Sequence, residues 1–399
     1  MLFFELLQIA IGNRDRFSQT PTVEEWRELF SLSQKQAMVG IAFRGVEQLP
    51  EEQRPPKTLL MQWYMATERI KSMNADLSRK ALAVTNKFLE EGFPSVILKG
   101  QGIAQLYIVN GRKTTVNGIQ STVDSQREVP QEATQATVNT FQVGELSNLN
   151  SQLSISEYRT PGDIDIWLQG GRKDVLDYVR RHVPGCNPVY HHVDFPVVDG
   201  LDIEVHFTPA WMNSPVTNRR LQRFFDECLT INKNYIGGRY SEIPVPSTAF
   251  NRVYILVHIY RHLFAEGIGL RQLLDYYFVL SQGFTMIERE VTMCTLRSLK
   301  MQRFAAAMMW VLQEVFGMDN RYLLTTPDEK EGRFLLGEMM LAGNFGKYDE
   351  RLQYEQGESG LHWGLRKVVR NFRFVSSYPS EVIWSPLFKL WHYFWRKTL

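Results

Sequence analysis

Hydrophobic positions recur along this chain at two different periods, and the change of period divides it into three stretches. Over residues 1–92 the period is helical. Thr22-Val-Glu-Glu25 reads as a capping box, a threonine that caps exposed backbone N–H groups with a glutamate three residues on, and Trp26, Leu29 and Phe30 follow at helical spacing. Leu59, Leu60, Trp63, Ile70, Leu77, Leu82 and Phe88 mark a second, longer helix from Lys57 to Glu91 that stops at Gly92. The opening segment, MLFFELLQIAIGNRDR, is apolar, yet it carries Glu5 and no basic leader, so it reads as a buried helix and not as a signal peptide.

After Pro94 the pattern shortens. Ser95-Val-Ile-Leu98 is a strand-length apolar run ahead of Lys99-Gly100-Gln101-Gly102, and 103–108 reads as helix. Residues 163–168 and 201–207 alternate apolar and polar positions; between them 173–182 is helical and 189–198 strand-like. From Ser247 onward helices are expected over 248–264, 268–282, 285–299, 301–316 and 328–342, with two more after 361. The predicted fold class is therefore α+β. A mixed sheet at 93–246 is flanked by an N-terminal helical region (1–92) and a C-terminal helical domain (247–399). Residues 110–157 break the pattern, being dominated by Thr, Ser, Gln, Asn and Val. They are expected to form a flexible polar insertion, with a transient hairpin at most and too little apolar content for a core, or else a lid or partner-binding arm.

Composition narrows the field. With 44% hydrophobic and 22% charged residues among 399, the chain can bury a core, which excludes global disorder. Lys plus Arg number 45 against 43 Asp plus Glu, so no basic excess points to general nucleic-acid binding. Cys186, Cys228 and Cys294 lie far apart, which argues against a disulfide scaffold and a structural zinc site. No run of 18 apolar residues occurs, so no spanning helix is expected and a cytoplasmic globular protein is the reading.

The sharpest chemical signal is Asp163-Ile-Asp165. On a strand both carboxylates share a face while Ile164 and Ile166 point to the core. Like charges held so close repel unless a cation neutralises them, and oxygen-only ligation suits Mg²⁺ or Mn²⁺. A third carboxylate is available downstream: Leu201-Asp-Ile-Glu-Val-His206 puts Asp202, Glu204 and His206 on one face, with Glu204 favoured and Asp202 the alternative.

The order of these features resembles the nucleotidyltransferase superfold of DNA polymerase beta and the aminoglycoside nucleotidyltransferases. More closely, the chain is similar to the bacterial family described as uncharacterised nucleotidyltransferases. The matching motifs are Leu98-Lys99-Gly100, Arg159-Thr-Pro-Gly162-Asp163-Ile-Asp165, Glu204-Val-His206, His258 and Arg271-Gln-Leu-Leu-Asp275, spread over residues 90–280. Two departures stand out. Lys99-Gly100 replaces the superfold's glycine pair, and the polar insertion separates the turn from the acids. Without the 48 residues of 110–157, the 63-residue separation of Gly100 and Asp163 falls to 15, near the usual spacing.

The resemblance implies transfer of a nucleoside monophosphate from a nucleoside triphosphate, ATP favoured, to a hydroxyl acceptor that the sequence leaves open. Asp163, Asp165 and Glu204 would hold the metal, or Glu204 would take the acceptor's proton. Lys99, Gly100 and the following helix start would bind phosphates together with Arg159 and Gly162. Simpler roles stand beside these: Lys99 as a salt bridge to the acids, and Arg159 as a structural partner of Asp163. A non-catalytic nucleotide- or partner-binding protein of the same fold is the alternative function.

His258 and His262 have metal-ligand spacing on a helix, but no glutamate base lies between them, so they are read as packed or hydrogen-bonding histidines; His191 and His192 are read as structural or exposed. His206 is left open between site and structure. Residues 364–399 combine seven Lys/Arg, one acid and many aromatics. The expectation is a terminal helix docked in the helical domain with Trp391 and Trp395 buried; a peripheral membrane or assembly contact is the alternative, not favoured.

Overall fold

The computed structural model describes residues 1–110, 152–195, 203–231, 243–352 and 360–398. Four helices come first: α1 (Leu2–Ala10), α2 (Val23–Lys35), α3 (Val39–Gln48) and α4 (Lys57–Glu90). The middle contains β1 (Ser95–Ile97), α5 (Gln101–Ala104), β2 (Ile108–Asn110), β3 (Gln152–Ser154), β4 (Ile164–Leu168), α6 (Gly171–His182), β5 (His192–Asp194), β6 (Ile203–His206) and α7 (Pro215–Ile231). Then follow α8 (Thr248–Ala265), α9 (Leu270–Ser281), α10 (Met286–Ser298), α11 (Gln302–Phe316), α12 (Glu329–Ala342), α13 (Gly360–Phe372) and α14 (Pro379–Lys397). The capping box at Thr22 forms as expected, with Glu25 N–H donating to the Thr22 hydroxyl and Thr22 N–H to the Glu25 carboxylate.

Four strands make one mixed sheet in the order β1-β4-β6-β5; β4 and β6 run parallel and the two edges antiparallel. Its apolar face, Ile164, Ile166, Ile203 and Val205, packs on Leu77, Ala81, Val84 and Phe88 of α4 and on Val175, Leu176 and Val179 of α6. A second, larger core joins Phe3, Leu6 and Leu7 of α1 and Ile41 and Phe43 of α3 to the buried faces of α8, α9 and α11. Helices from both ends of the chain thus bury one another, and Trp167 reaches this core from the sheet, stacking on Phe250. This is the α+β architecture expected, a small mixed sheet among helices.

Three local expectations need correction. The helix after the glycine turn is only Gln101–Ala104, because Ile108 opens β2 and pairs with Ser154 of β3, which lets Val109 be buried. Residues 152–157 belong to the fold and not to a flexible insertion. Ile155 is fully buried, and Asn74 Nδ2 donates to the carbonyls of Glu157 (2.9 Å) and Arg159 (2.6 Å). The rest of that stretch, 111–151, lies outside the described residues, as does Asp202.

The third concerns α14. It does not bury Trp391, which is 47% exposed, and Trp395 is half-buried. The helix docks one edge on the α+β unit, with Phe388, Trp391 and Trp395 against Tyr190, and turns Ile383, Leu387, Leu390 and Phe394 outward. The reason is its attachment. Glu381 at its start is fully buried against Arg261 (2.7 Å) and the Asn213 backbone, which fixes the helix beside the sheet edge and not between other helices. Among the described residues no helix is long and apolar enough to cross a membrane.

Candidate functional site

The polar face of the sheet carries the acids. Asp163 immediately precedes β4 and Asp165 sits within it, and the parallel register places Glu204 of β6 directly beside Asp165. Asp165 is only 1% exposed and is paired on both oxygens. His206 Nε2 lies 2.9 Å from its Oδ1, and Lys99 Nζ 2.9 Å from its Oδ2. The same ammonium is 3.4 Å from Asp163 Oδ2, so Lys99 lies between the two carboxylates and supplies the countercharge they require. His206 Nε2 also reaches Glu204 Oε2 at 3.3 Å. Burial works to raise the Glu204 carboxyl, but the His206 hydrogen bond and the nearby His192 and Lys99 outweigh it and hold it at about 2.

The turn that presents Lys99 depends on glycine. Gly100 has φ +59° and ψ −112°, a region closed to side chains with a Cβ, and a Cβ on Gly102 would stand 2.5 Å from the Ile97 carbonyl oxygen. Leu98 N–H donates to the Asp165 carbonyl (2.9 Å), locking the turn to β4. Behind it, Arg159 is 4% exposed and gives its fork to Asp275, with Nε and Nη2 each 2.8 Å from a carboxylate oxygen. Tyr107 donates to the same carboxylate at 2.7 Å. Arg271, one helical turn before Asp275, donates to the carbonyls of Thr160 (3.2 Å) and Pro161 (2.7 Å) and so staples the segment that enters the acidic strand. Arg159 therefore pairs with a partner on α9 and not with Asp163.

These acids line a cavity of about 880 Å³. Thr160 and Gly162, residues of β5 and β6, and His258, Arg261, His262 and Arg271 line it together. Burial drives His258 well below the ordinary histidine range, and neighbouring cations add to the effect. Arg271 falls to about 10 for the same first reason, with Arg159 adding repulsion. The Arg261 guanidinium lies over Trp211, 4.1 Å from the ring centre. His258 and His262, expected as packed or hydrogen-bonding histidines, pack ring on ring at 4.3 Å, with His262 Nδ1 2.8 Å from Glu266 Oε1, and both also line the cavity.

Sequence reasoning also missed His191 and His192 as pocket residues. His192 pairs across β5–β6 with His206, and Asp194 with Glu204. Burial pushes His191 far below its usual range and His192 to about 4, with His206 second in both cases. The available signal was the mirror symmetry of His192-Val-Asp194 and Glu204-Val-His206. Only the hairpin register, which periodicity does not supply, turns that symmetry into contact.

The sequence profile of the family described as uncharacterised nucleotidyltransferases matches residues 22–111 and 151–317, more than half of the chain. The chain belongs to that family. The matched ranges pass over 112–150, the centre of the polar stretch, and resume on the strand that leads to Arg159. No curated protein and no solved structure matches the chain. The pocket can hold a metal ion. Carboxylate oxygens of Asp163, Asp165 and Glu204 lie within 4.8 Å of one another, a hard oxygen set that fits Mg²⁺ or Mn²⁺.

Proposed function

We propose that this nucleotidyltransferase moves a nucleoside monophosphate from a nucleoside triphosphate, ATP favoured, to a hydroxyl acceptor, in the cytoplasm. The observation that carries the reading is the convergence of Asp163, Asp165 and Glu204 from two adjacent parallel strands onto one open cavity. In this reading residues 93–246 provide the nucleotide side and 247–399, through α8 and α9, the acceptor side, with 1–92 buttressing both.

A divalent ion held by the three carboxylates would supply positive charge for the triphosphate and the departing pyrophosphate. The chain's own residues do the rest. Lys99 turns its ammonium from the acids toward the phosphates, and Gly100 and Gly162 keep the approach free of side chains. Where Asp163 and Asp165 alone hold the ion, Glu204 accepts the acceptor's proton as the acceptor oxygen attacks the α-phosphorus and the bond to pyrophosphate breaks. Arg159 acts through Asp275 and the 160–162 segment as a positioning residue, and its buried charge adds to the attraction for phosphate.

A second reading, nucleotide or partner binding without turnover, draws on one observation: Lys99 already neutralises both acids. Incubation with each labelled nucleoside triphosphate and Mg²⁺ separates the two, since transfer releases pyrophosphate and labels a product or the protein itself. Calorimetric titration with a non-hydrolysable analogue tests the metal assignment. Asp163→Asn and the Asp163→Asn/Asp165→Asn pair should abolish Mg²⁺-dependent binding while circular dichroism stays unchanged; unaltered binding in the folded pair overturns it.

A further inference from the structure

Beside the acids, and sharing Glu204 with them, lies a second group of donors of different chemistry. His192 Nδ1 is 3.0 Å from His191 Nε2 and 3.2 Å from Glu204 Oε2, and that oxygen is 3.3 Å from His206 Nε2. One ligand atom from each of these four residues falls within 4.8 Å of all the others. A tetrahedron of nitrogen and oxygen donors about 2.0–2.1 Å from a central ion has edges of roughly 3.3 Å, close to the three separations just given, and small ring rotations bring the rest within range. His206 and His192 are cross-strand partners, His191 is the residue just before β5, and all four residues line the cavity.

We propose that His191, His192, Glu204 and His206 form a binding site for a divalent first-row transition ion of the Zn²⁺ or Fe²⁺ type. Three imidazole nitrogens and one carboxylate oxygen are a borderline donor set, which such ions prefer and Mg²⁺ does not, and an ion on His206 Nε2 would take the place of the proton this nitrogen shares with Asp165 Oδ1 at 2.9 Å. Two ring nitrogens facing each other at 3.0 Å have room for a single proton between them, whereas an ion accepts a lone pair from each. Asp194 Oδ1 stands 3.8 Å from Nε2 of His192, an ion-pair distance on the ring nitrogen that faces away from the other donors. The spacing of the three cysteines argues against a structural zinc site, and it has no bearing on this nitrogen-rich one. The inference does not rest on nucleotide transfer, because the histidine donors converge whatever Asp163 and Asp165 bind.

The test is titration of the full-length protein with Co²⁺, read by visible absorption. The expected result is intense tetrahedral-type bands that saturate at one ion per chain and are displaced by Zn²⁺. Affinity should fall by at least about 100-fold in His192→Gln and in His191→Gln, more than the loss of an outer supporting partner costs. Asp163→Asn should retain the bands, which separates this site from the oxygen set. Absence of bands overturns the proposal, as do bands lost in Asp163→Asn but unchanged in the folded histidine variants. Should those variants not fold, pulsed electron paramagnetic resonance of the Cu²⁺-loaded wild type decides. Imidazole nitrogen couplings support the site, and their absence overturns it.

Discussion

Asp165 concentrates the energetics of the site in one side chain: a carboxylate removed from water survives only if its oxygens are paired. Lys99 and His206 do this. Lys99→Met should therefore cost about 3–5 kcal/mol, since it strands a buried charge beside Asp163. Mg²⁺ should restore part of that loss by binding only the folded state, and should raise the melting temperature more in the variant than in the wild type. Thermal unfolding with Mg²⁺ or with chelator checks this; a Mg²⁺ response no larger than the wild type's would remove Lys99 from the cation position. Arg159 and Asp275 form the other buried pair. Arg159→Met should also cost about 3–5 kcal/mol in urea unfolding, and adding Asp275→Leu should recover much of it, because an apolar pair replaces an ion pair at little cost whereas a lone buried carboxylate does not.

Elements differ in what holds them. The start of α10 is held by Thr285 and Glu288, which exchange backbone and side-chain hydrogen bonds, and by Arg252, 2.9 Å from Glu288. The Thr285 backbone hydrogen bond first, then Arg252, pulls the Glu288 carboxyl from 4.5 to about 2. A carboxylate whose pKa is lowered on folding stabilises fully above its unfolded value and loses that contribution as the folded value is approached. The contribution of Glu288 should thus be complete above pH 4.5 and fade toward pH 2, and Glu288→Gln should flatten that part of the stability–pH curve. Thr285→Ala should cost about 1 kcal/mol, the usual worth of a lost N-cap. For α14 the expectation changes with its exposure. Trp391 buries only part of its ring, so Trp391→Ala should cost about 1–2 kcal/mol in denaturant unfolding, below the range for a fully buried aromatic.

At the scale of the whole molecule, the N-terminal helices and α8, α9 and α11 share one core, while the sheet keeps a second core beneath its apolar face. The candidate cavity lies on the sheet's other face, lined by Asp163, Asp165 and Glu204, apart from both cores. Replacing 111–151 with a short Gly/Ser link should leave unfolding free energy within about 1 kcal/mol of wild type, since closure entropy changes slowly with loop length. Extending the deletion to 110–157 removes the fully buried Ile155 and should cost about 2–5 kcal/mol. Equal losses for the two deletions, measured by urea unfolding, would place the packing in 111–151.

What could be read from the chain alone is whatever depends on neighbours in sequence. Capping at Thr22, the long helix ending before Gly92, the series of C-terminal helices and the strand that carries Asp165 all follow from local periodicity and backbone sterics. Order along the chain also identified the family. Register, pairing and docking were decided by residues far apart. The parallel alignment of β4 with β6 brought Glu204 to Asp165, the β5–β6 register brought His192 to His206, and α9 brought Asp275 to Arg159 across more than a hundred residues. No local rule chooses among a charged side chain's distant partners, because electrostatic pairing and burial are settled only when the elements pack. The same holds for α14, whose aromatic pattern specifies a helix with an apolar face, while the Arg261–Glu381 pair decides how much of that face is covered.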